Sequence, residues 1–486
     1  MLVAIDKGLE RVGVSVEEQK KKMVGCNFDG AAVMLGSKSG VAQKLKERVG
    51  DYLVPIHCVV HCLELAILDA VKEVPYLKTF QETVQAVFKY YYYSPKKRRE
   101  LASLSDILDE AKAHYGGLTA VRWLASRNRA LVALQTHYAV TVAHLENAST
   151  GKKEDAAKAT GILKVLKSEQ FVKYLHFMID VTSVLSRLSV QFQKDDITIN
   201  EVVCGIEKSI TELKKLEKGG VHYQGFCNRY SEQNGKLVCG KDNKQELTLT
   251  HKGINPMSSF QKFLNGISSY LEKRFESITT EPVSCFKVFD HRFWPMTRED
   301  LLHYGDNDVK TLVQHFAVLL SDEEKKCILS EWLQLKLLLS SQGAVKPLEL
   351  YASLLISKPD SIKNVLVLVE IMTVLSPCTA SCDRSFSAMN RIKTSLKTTM
   401  QQGTLQDLIT VSSSSEDIKS FDPKPAISNW FLGSKRKRHF VSASCSGHSS
   451  IAKGKNDSAS GATEIIVEGE EEEEEEILPP LPELPE

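Results

Sequence analysis

The sequence lacks the signatures of several large protein classes. No stretch approaches the roughly 18 consecutive uncharged apolar residues that a membrane-spanning helix requires, so the sequence predicts no membrane span. The phosphate-binding pattern GxxxxGK(S/T), the dinucleotide-binding pattern GxGxxG and the nucleophile pattern GxSxG are also absent. The motifs therefore give no support to a kinase, a dehydrogenase or a serine hydrolase.

The cysteines give no sign of a disulfide framework. There are eleven, an odd number, scattered over 486 residues. Short secreted domains carry dense, even-numbered cysteines, whereas scattered cysteines in a long chain are typical of reduced thiols inside a cell. We therefore expect free thiols.

Basic side chains are missing from the last part of the chain. Residues 464–486 contain eleven glutamates and no lysine or arginine, and removing those charges from the net charge of +1 leaves the rest near +12. A basic body with an acidic tail is compatible with nucleic-acid binding. A well-solvated surface explains the same charges equally well, so composition leaves both interpretations open.

The rest of the composition, 42% hydrophobic and 25% charged, is that of a globular protein with two or three domains. One predicted strand ends at Asp29, a second covers residues 52–57, and a helix follows each, which predicts a parallel or mixed sheet. Later segments repeat apolar residues at helical spacing. Residues 219–243 are polar and contain glycine, which predicts a loop.

These patterns divide the chain into four segments. They are an α/β region, a helical region, a compact region with an apolar run and an amphipathic helix, and a mostly disordered tail (1–125, 126–350, 351–411 and 412–486). The tail cannot bury enough apolar surface to fold alone. Residues 421–431 are expected to dock onto the body through Trp430 and Phe431.

Two aspartates are candidate metal-binding acids, each with an ordinary structural alternative. Asp29 follows a strand, where carboxylates can hold divalent ions for phosphoryl transfer, although Asp-Gly is also an ordinary turn. Asp383 precedes a helical pattern, where an acid also stabilises a helix start. The apolar face of that helix is predicted to consist of Phe386, Met389, Ile392, Leu396 and Met400.

The segment HCVVHC places His57 and His61, and Cys58 and Cys62, at i, i+4 spacing. A helix brings each pair to one face, which could offer zinc ligands. The apolar stripe that follows explains the segment equally well as buried thiols with a core histidine.

Two further segments suggest nucleic-acid binding. In KYYYYSPKKRRE, four tyrosines precede the cations Lys96, Lys97, Arg98 and Arg99. Aromatic rings can stack on bases and cations can neutralise phosphates, but a helix end with a solvated basic surface has the same pattern. Arg122 and Trp123 precede an apolar helix, where the indole could stack on an extruded base or anchor a core.

A basic cluster in the tail has the composition of a nuclear import signal. It consists of Lys435, Arg436, Lys437 and Arg438. We therefore expect a nuclear protein.

Taken in order, several segments resemble the hAT class of DNA transposases. They are VGCNFDGAAVMLGSKSGVAQKLK, HCVVHCLELA, VRWLASRNRAL, FDHRFWP and VLSPCTASCDRSFSAMNRIKTSLKTTM. The resemblance implies an α/β, RNase H-like core, truncated at its N-terminal side and interrupted by a large helical insertion. It also implies a dimerisation region over the last of these segments, two Asp and one Glu that bind two divalent ions, and a Cys-x-x-His motif at Cys58 and His61.

The departures from the family pattern are as informative as the matches. Asp29 matches the second catalytic Asp, and Asp383 stands where the family has Glu. The first Asp belongs on a strand well upstream of the second. The one early acid of similar kind, Asp6, lies too near the start for that strand, so we expect the first acid to be lost, and we find no counterpart of the family's BED-type zinc finger. Because metal carboxylates must be placed within about 0.5 Å, we expect no transposition activity and no cofactor.

The sequence therefore predicts a transposase-derived nuclear protein that acts by dimerisation, with itself or another partner, and that has DNA or chromatin as a further candidate partner. The alternative is an active transposase or nuclease that uses Mg²⁺ or Mn²⁺ with the remaining acids.

Overall fold

A computed structural model describes residues 1–107, 123–151, 154–233, 236–239, 248–250, 255–340, 345–394, 397, 399–413 and 420–433. It divides the chain into two compact units, residues 1–414 and 415–486. None of the described helices is long and apolar enough to cross a membrane.

The first unit begins with helices that surround two short strands. These elements are α1 (Leu2–Arg11), α2 (Val16–Lys22), β1 (Gly25–Phe28), α3 (Ala32–Leu35), α4 (Val41–Val49), β2 (Val54–His57), α5 (Val59–Lys72), α6 (Pro75–Tyr92) and α7 (Pro95–Ile107). β1 and β2 are parallel, as the alternation of strands and helices predicts.

The middle of the unit is almost entirely helical. It contains α8 (Trp123–Thr136), α9 (Tyr138–Ser149), α10 (Glu154–Leu166), α11 (Glu169–Phe192), α12 (Ile199–Lys214), α13 (Val221–Arg229), β3 (Tyr230–Gln233), β4 (Lys236–Cys239), β5 (Thr248–Thr250), α14 (Met257–Arg274) and α15 (Glu276–Thr279). β3, β4 and β5 form a small antiparallel sheet.

The described last part of the unit is helical, and one of its connections packs against the two parallel strands. It contains α16 (Arg298–His303), α17 (Asp306–His315), α18 (Asp322–Leu339), α19 (Pro347–Ser357), α20 (Val365–Val374), α21 (Ala380–Ile392) and α22 (Gln402–Ser413). Short 3-10 helices lie at Lys215–Lys218, Val283–Phe289 and His291–Phe293. The second unit contains α23 (Lys424–Gly433). The described fold is thus mostly helical with a small parallel sheet.

Helix α11 lies at the centre of the core, because it is apolar on nearly every face. Phe177 stacks on Phe260 of α14 with ring centroids 3.8 Å apart. His176 stacks on Phe226, and its Nδ1 lies 2.8 Å from Nε2 of Gln135. Burial lowers the pKa of His176 to about 4, with smaller contributions from neighbouring cations.

The predicted loop over residues 219–243 is wrong, because α13 forms at its start and β3 and β4 follow. Asp180 of α11 caps this helix, since its carboxylate accepts the N–H groups of His222 and Tyr223 at 3.0 Å each. Tyr223 and Phe226 are buried. A distant capping acid and two aromatic anchors therefore override the polar local sequence.

Helix α20 is fixed by a buried carboxylate of α18. Glu331 accepts the N–H groups of Asn364 and Val365 at 2.7 and 2.9 Å, which satisfies donors at the start of α20. Its buried side chains pack into the core. The position of α20 in turn sets where the connection to α21 begins.

Candidate functional site

Asp29 and Cys58 lie at one edge of the sheet because each follows a strand of the parallel pair. Phe28 is opposite His57 in the register. The N–H of Cys58 donates to the carbonyl oxygen of Phe28 at 2.9 Å. Asp29 is exposed, and its Oδ1 accepts the N–H of Ala31 at 3.4 Å, as in an Asx turn.

The connection between α20 and α21 crosses this edge of the sheet. Nδ2 of Asn27 donates to the carbonyl oxygen of Ser376 at 2.6 Å. The N–H of Val59 donates to the carbonyl oxygen of Pro377 at 3.0 Å. These bonds hold the start of α21 at the strand ends, and Asp383 lies in its first turn.

A second anchor holds α21 from the side of α11. Arg384 forms an ion pair with Asp195 and donates to the carbonyl oxygen of Gln193 at 3.4 Å. Both partners follow the last turn of α11. The helix that carries Asp383 is therefore tied to the sheet and to the helical core.

Several titratable side chains gather at the strand ends. We call them the strand-end cluster: Asp29, His57, Cys58, His61, Glu64, Cys378 and Asp383. Burial raises the pKa of Asp383, and the negative charges of Cys58 and Asp29 raise it further. Burial also raises the pKa of Glu64. The charge of Asp29 thus acts on Asp383, although the two residues are distant in sequence.

Cys58 and His61 interact with each other in the middle of the strand-end cluster. The hydrogen bond from Cys378 lowers the pKa of Cys58 despite its burial, and His61 and the N–H of Thr379 add to the effect. The hydrogen bond with Cys58 raises the pKa of His61. The interaction between Cys58 and His61 therefore favours the charged form of each side chain.

His57 lies against the turn that follows β1. Its Nε2 is buried and has no hydrogen-bond partner among the described residues. Burial lowers the pKa of His57, so the neutral ring is favoured. A Cβ added at Gly30 would lie 2.7 Å from Nε2, so this close approach requires glycine.

The cluster does not fit a pair of Mg²⁺ or Mn²⁺ ions. Within the described residues, no three His, Cys, Asp or Glu side chains are arranged to hold a metal ion. Asp6 is not a further ligand, because it lies on α1 and pairs with Arg48 at 2.7 Å. Cys58 and His61 bond to each other. Asp29, Glu64 and Asp383 remain as carboxylates, but these described residues are not grouped as the ligands that paired ions require.

The basic segment at residues 96–99 lies on the first turns of α7. Arg98 and Arg99 are exposed. Lys96 lies 3.7 Å from Glu100, and Lys97 pairs with Asp155 at 3.1 Å and lies over the ring of Tyr90.

The four tyrosines before this segment differ in exposure. Tyr90 and Tyr91 are buried in the core, whereas Tyr93 is exposed. The hydroxyl of Tyr91 lies 3.1 Å from Nδ1 of His144. The two buried rings are therefore structural, and Tyr93 is the ring best placed to meet a base.

The predicted apolar face of α21 is shorter than the sequence pattern suggests. Phe386 is exposed, and Met389 and Ile392 are half-buried. The helix ends at Ile392, so Met400 does not lie on it. The following segment, KTSLKTT, contains three Thr and one Ser, which have weak helix propensity.

Several predicted residues fall outside the described part of the chain. They are Arg122, Leu396, Lys435, Arg436, Lys437 and Arg438, together with the side chains of Trp123, Trp430 and Phe431.

Two members of the strand-end cluster were not identified from the sequence. Glu64 follows His61 by three residues, and this spacing on α5 was the available signal. Cys378 had no local signal, because only the tertiary fold brings it to Cys58.

A search of protein-family models finds none that matches this chain.

Proposed function

We propose that the chain derives from an hAT-class transposase, has lost catalysis, and acts through self-assembly and contacts with nucleic acid or chromatin. The observation that carries this proposal is the meeting of Asp29 and Asp383 at the ends of two parallel strands. The family resemblance implies that arrangement for two of its metal-binding acids. A large helical segment between them, as in an interrupted RNase H-like core, is compatible with it.

The loss of catalysis follows from the ligands that remain. Asp383 is one methylene shorter than the Glu that the family pattern has at this position. Cys58 and His61 interact with each other, and burial raises the pKa of Glu64. Paired divalent ions must clamp the attacking and leaving oxygens, and this set of donors does not supply that clamp.

The proposed assembly surface is formed by α21 and α22, which pack against each other. Phe386 on α21, and Leu408 and Val411 on α22, are exposed apolar side chains. We propose that a second copy covers them, because a two-fold interface uses the same surface on both subunits. Sedimentation equilibrium of the full chain tests this assembly: a dimer mass is expected, and a monomer at micromolar concentration would contradict it.

The nucleic-acid contact is proposed for α7, where Arg98 and Arg99 are exposed. Exposed guanidinium groups neutralise phosphates without reading sequence. The import signal proposed at residues 435–438 would bring the chain to the nucleus, where these contacts are available.

A second candidate function is metal-dependent cleavage of DNA. The observation in its favour is the proximity of three carboxylates, since Asp383 interacts electrostatically with both Asp29 and Glu64. An ion that binds between them would lower their pKa values and recruit Glu64 as the third acid. A cleavage assay separates this candidate from the first.

A further inference from the structure

Two cysteines of the strand-end cluster are placed side by side by the backbone around them. The N–H of Val59, which follows Cys58, donates at 3.0 Å to the carbonyl oxygen of Pro377, which precedes Cys378. The N–H of Thr379, which follows Cys378, donates at 3.4 Å to Sγ of Cys58. Hydrogen bonds on both sides thus bring the two positions together.

The side chains of Cys58 and Cys378 also lie close enough to act on each other, since their interaction lowers the pKa of Cys58 and raises the pKa of Cys378. Disulfides join cysteines whose Cα atoms are usually 4.4–6.8 Å apart, roughly the spacing of hydrogen-bonded neighbouring segments. A covalent bond therefore requires a small adjustment of two side chains and no rearrangement of the fold.

We propose that Cys58 and Cys378 form a reversible intramolecular disulfide, which makes the strand-end cluster a thiol–disulfide exchange site for small disulfides. The bond would join the start of α5 to the connection that leads into α21. This inference does not depend on the proposed function.

The surroundings of Cys58 stabilise a thiolate. Cys58 is the N-cap residue of α5, and its sulfur accepts an N–H at the start of α21. Helix N-termini and a neighbouring imidazolium both favour a thiolate, which is the reactive form of cysteine. The lowered pKa of Cys58 and the raised pKa of His61 agree with this arrangement.

The two cysteines have different access to solvent, which assigns their roles. Cys58 has an exposed fraction of 0%, whereas Cys378 is half-buried. Cys378 is therefore the sulfur that meets an external reagent. Cys58 is the internal thiolate that completes the reaction.

The exchange proceeds in two steps. The Cys58 thiolate accepts the proton of Cys378, whose own pKa is raised. The resulting Cys378 thiolate attacks one sulfur of a low-molecular-weight disulfide, and Cys58 returns the proton to the thiolate that leaves. The Cys58 thiolate then attacks the Cys378 sulfur of the mixed disulfide and expels the second thiolate. The two protein sulfurs are oxidised to one disulfide, and the small disulfide is reduced to two thiol equivalents.

Other cysteines near the cluster lack this environment. Burial raises the pKa of Cys62 to about 12 and that of Cys26 to about 11. Cys382 is exposed on α21, four residues after Cys378. Cys62 and Cys382 therefore provide matched controls for selectivity.

The test is equilibration of the full chain in buffers with a range of reduced-to-oxidised glutathione ratios, followed by alkylation, digestion and mass spectrometry. We expect a peptide linked through Cys58 and Cys378 that disappears in reducing buffer and persists in Cys62→Ser and Cys382→Ser. Cys378→Ser should abolish it. Its absence from the folded wild-type chain in the most oxidising buffer, or a Cys378–Cys382 link instead, would overturn the proposal.

A stability measurement gives an independent readout that does not rely on a variant of the buried cysteine. A disulfide between distant positions constrains the unfolded chain, so the oxidised wild type should unfold at a higher urea concentration than the reduced wild type. Cys378→Ser should show no such difference. Equal midpoints for the linked and reduced wild type would contradict a disulfide that fits the native geometry.

Discussion

Replacement of Phe386 by alanine removes a large exposed apolar side chain from the proposed assembly surface. A phenylalanine side chain buries about 200 Å², and 61% of Phe386 is exposed in the isolated chain. Covering about 120 Å² at about 25 cal/mol per Å² contributes about 3 kcal/mol. A two-fold interface contains this residue twice, so the upper limit is about 6 kcal/mol, or about four powers of ten in Kd.

Interfaces retain water and imperfect contacts, so we expect Phe386→Ala to weaken the dimer by at least about 100-fold. Sedimentation velocity over a concentration series measures the Kd of each variant. Phe293→Ala is the matched control, because Phe293 is 58% exposed and lies in a different part of the unit. An unchanged Kd for Phe386→Ala, or an equal loss for the control, would refute the assignment of α21 to the interface.

Three further outcomes are expected. The folded pKa of His176 is about 4, below the ordinary value of 6.5. The contribution of the neutral ring to the free energy of unfolding is therefore fully present above pH 6.5 and is lost as the pH falls toward 4. His176→Gln should remove about 3 kcal/mol of this pH dependence, measured by urea titrations. Glu331→Ala should lower the free energy of unfolding by about 2–4 kcal/mol, because two backbone N–H groups lose their acceptor, and a loss below 0.5 kcal/mol would contradict the cap. Arg98→Gln with Arg99→Gln should reduce the slope of log K against log salt for duplex DNA by about 2, whereas Lys326→Gln, which changes an exposed lysine on α18, should not.

The helices and the parallel strand pair were predictable because their signals are local. Asp29 was placed at a strand end by the apolar run before it, and α5 by its apolar stripe. Helix α13 was not predictable, since its N-terminal donors are satisfied by Asp180 of another helix. The apolar spacing that predicted α21 likewise continues past Ile392, where the helix ends. The residues that follow have weak helix propensity, so the helix does not continue with the spacing.

The candidate site was partly predictable. Sequence alone nominated Asp29, Cys58, His61 and Asp383, but it could not decide whether Cys58 and His61 bind a metal or pack in a core. The fold gives a third arrangement, in which they bond to each other. Cys378 could not be identified from the sequence, because its contact with Cys58 depends on how the connection before α21 packs. No local sequence pattern encodes that packing.

We propose above all that the strand-end cluster is the remnant of a metal-dependent site and no longer cleaves DNA. The most direct measurement is nicking of supercoiled duplex DNA in Mn²⁺, with the wild-type chain and Asp29→Ala compared at equal concentration. The account predicts the same background rate for both proteins. A Mn²⁺-dependent rate in the wild type that Asp29→Ala abolishes would contradict the account and establish the cluster as an active site.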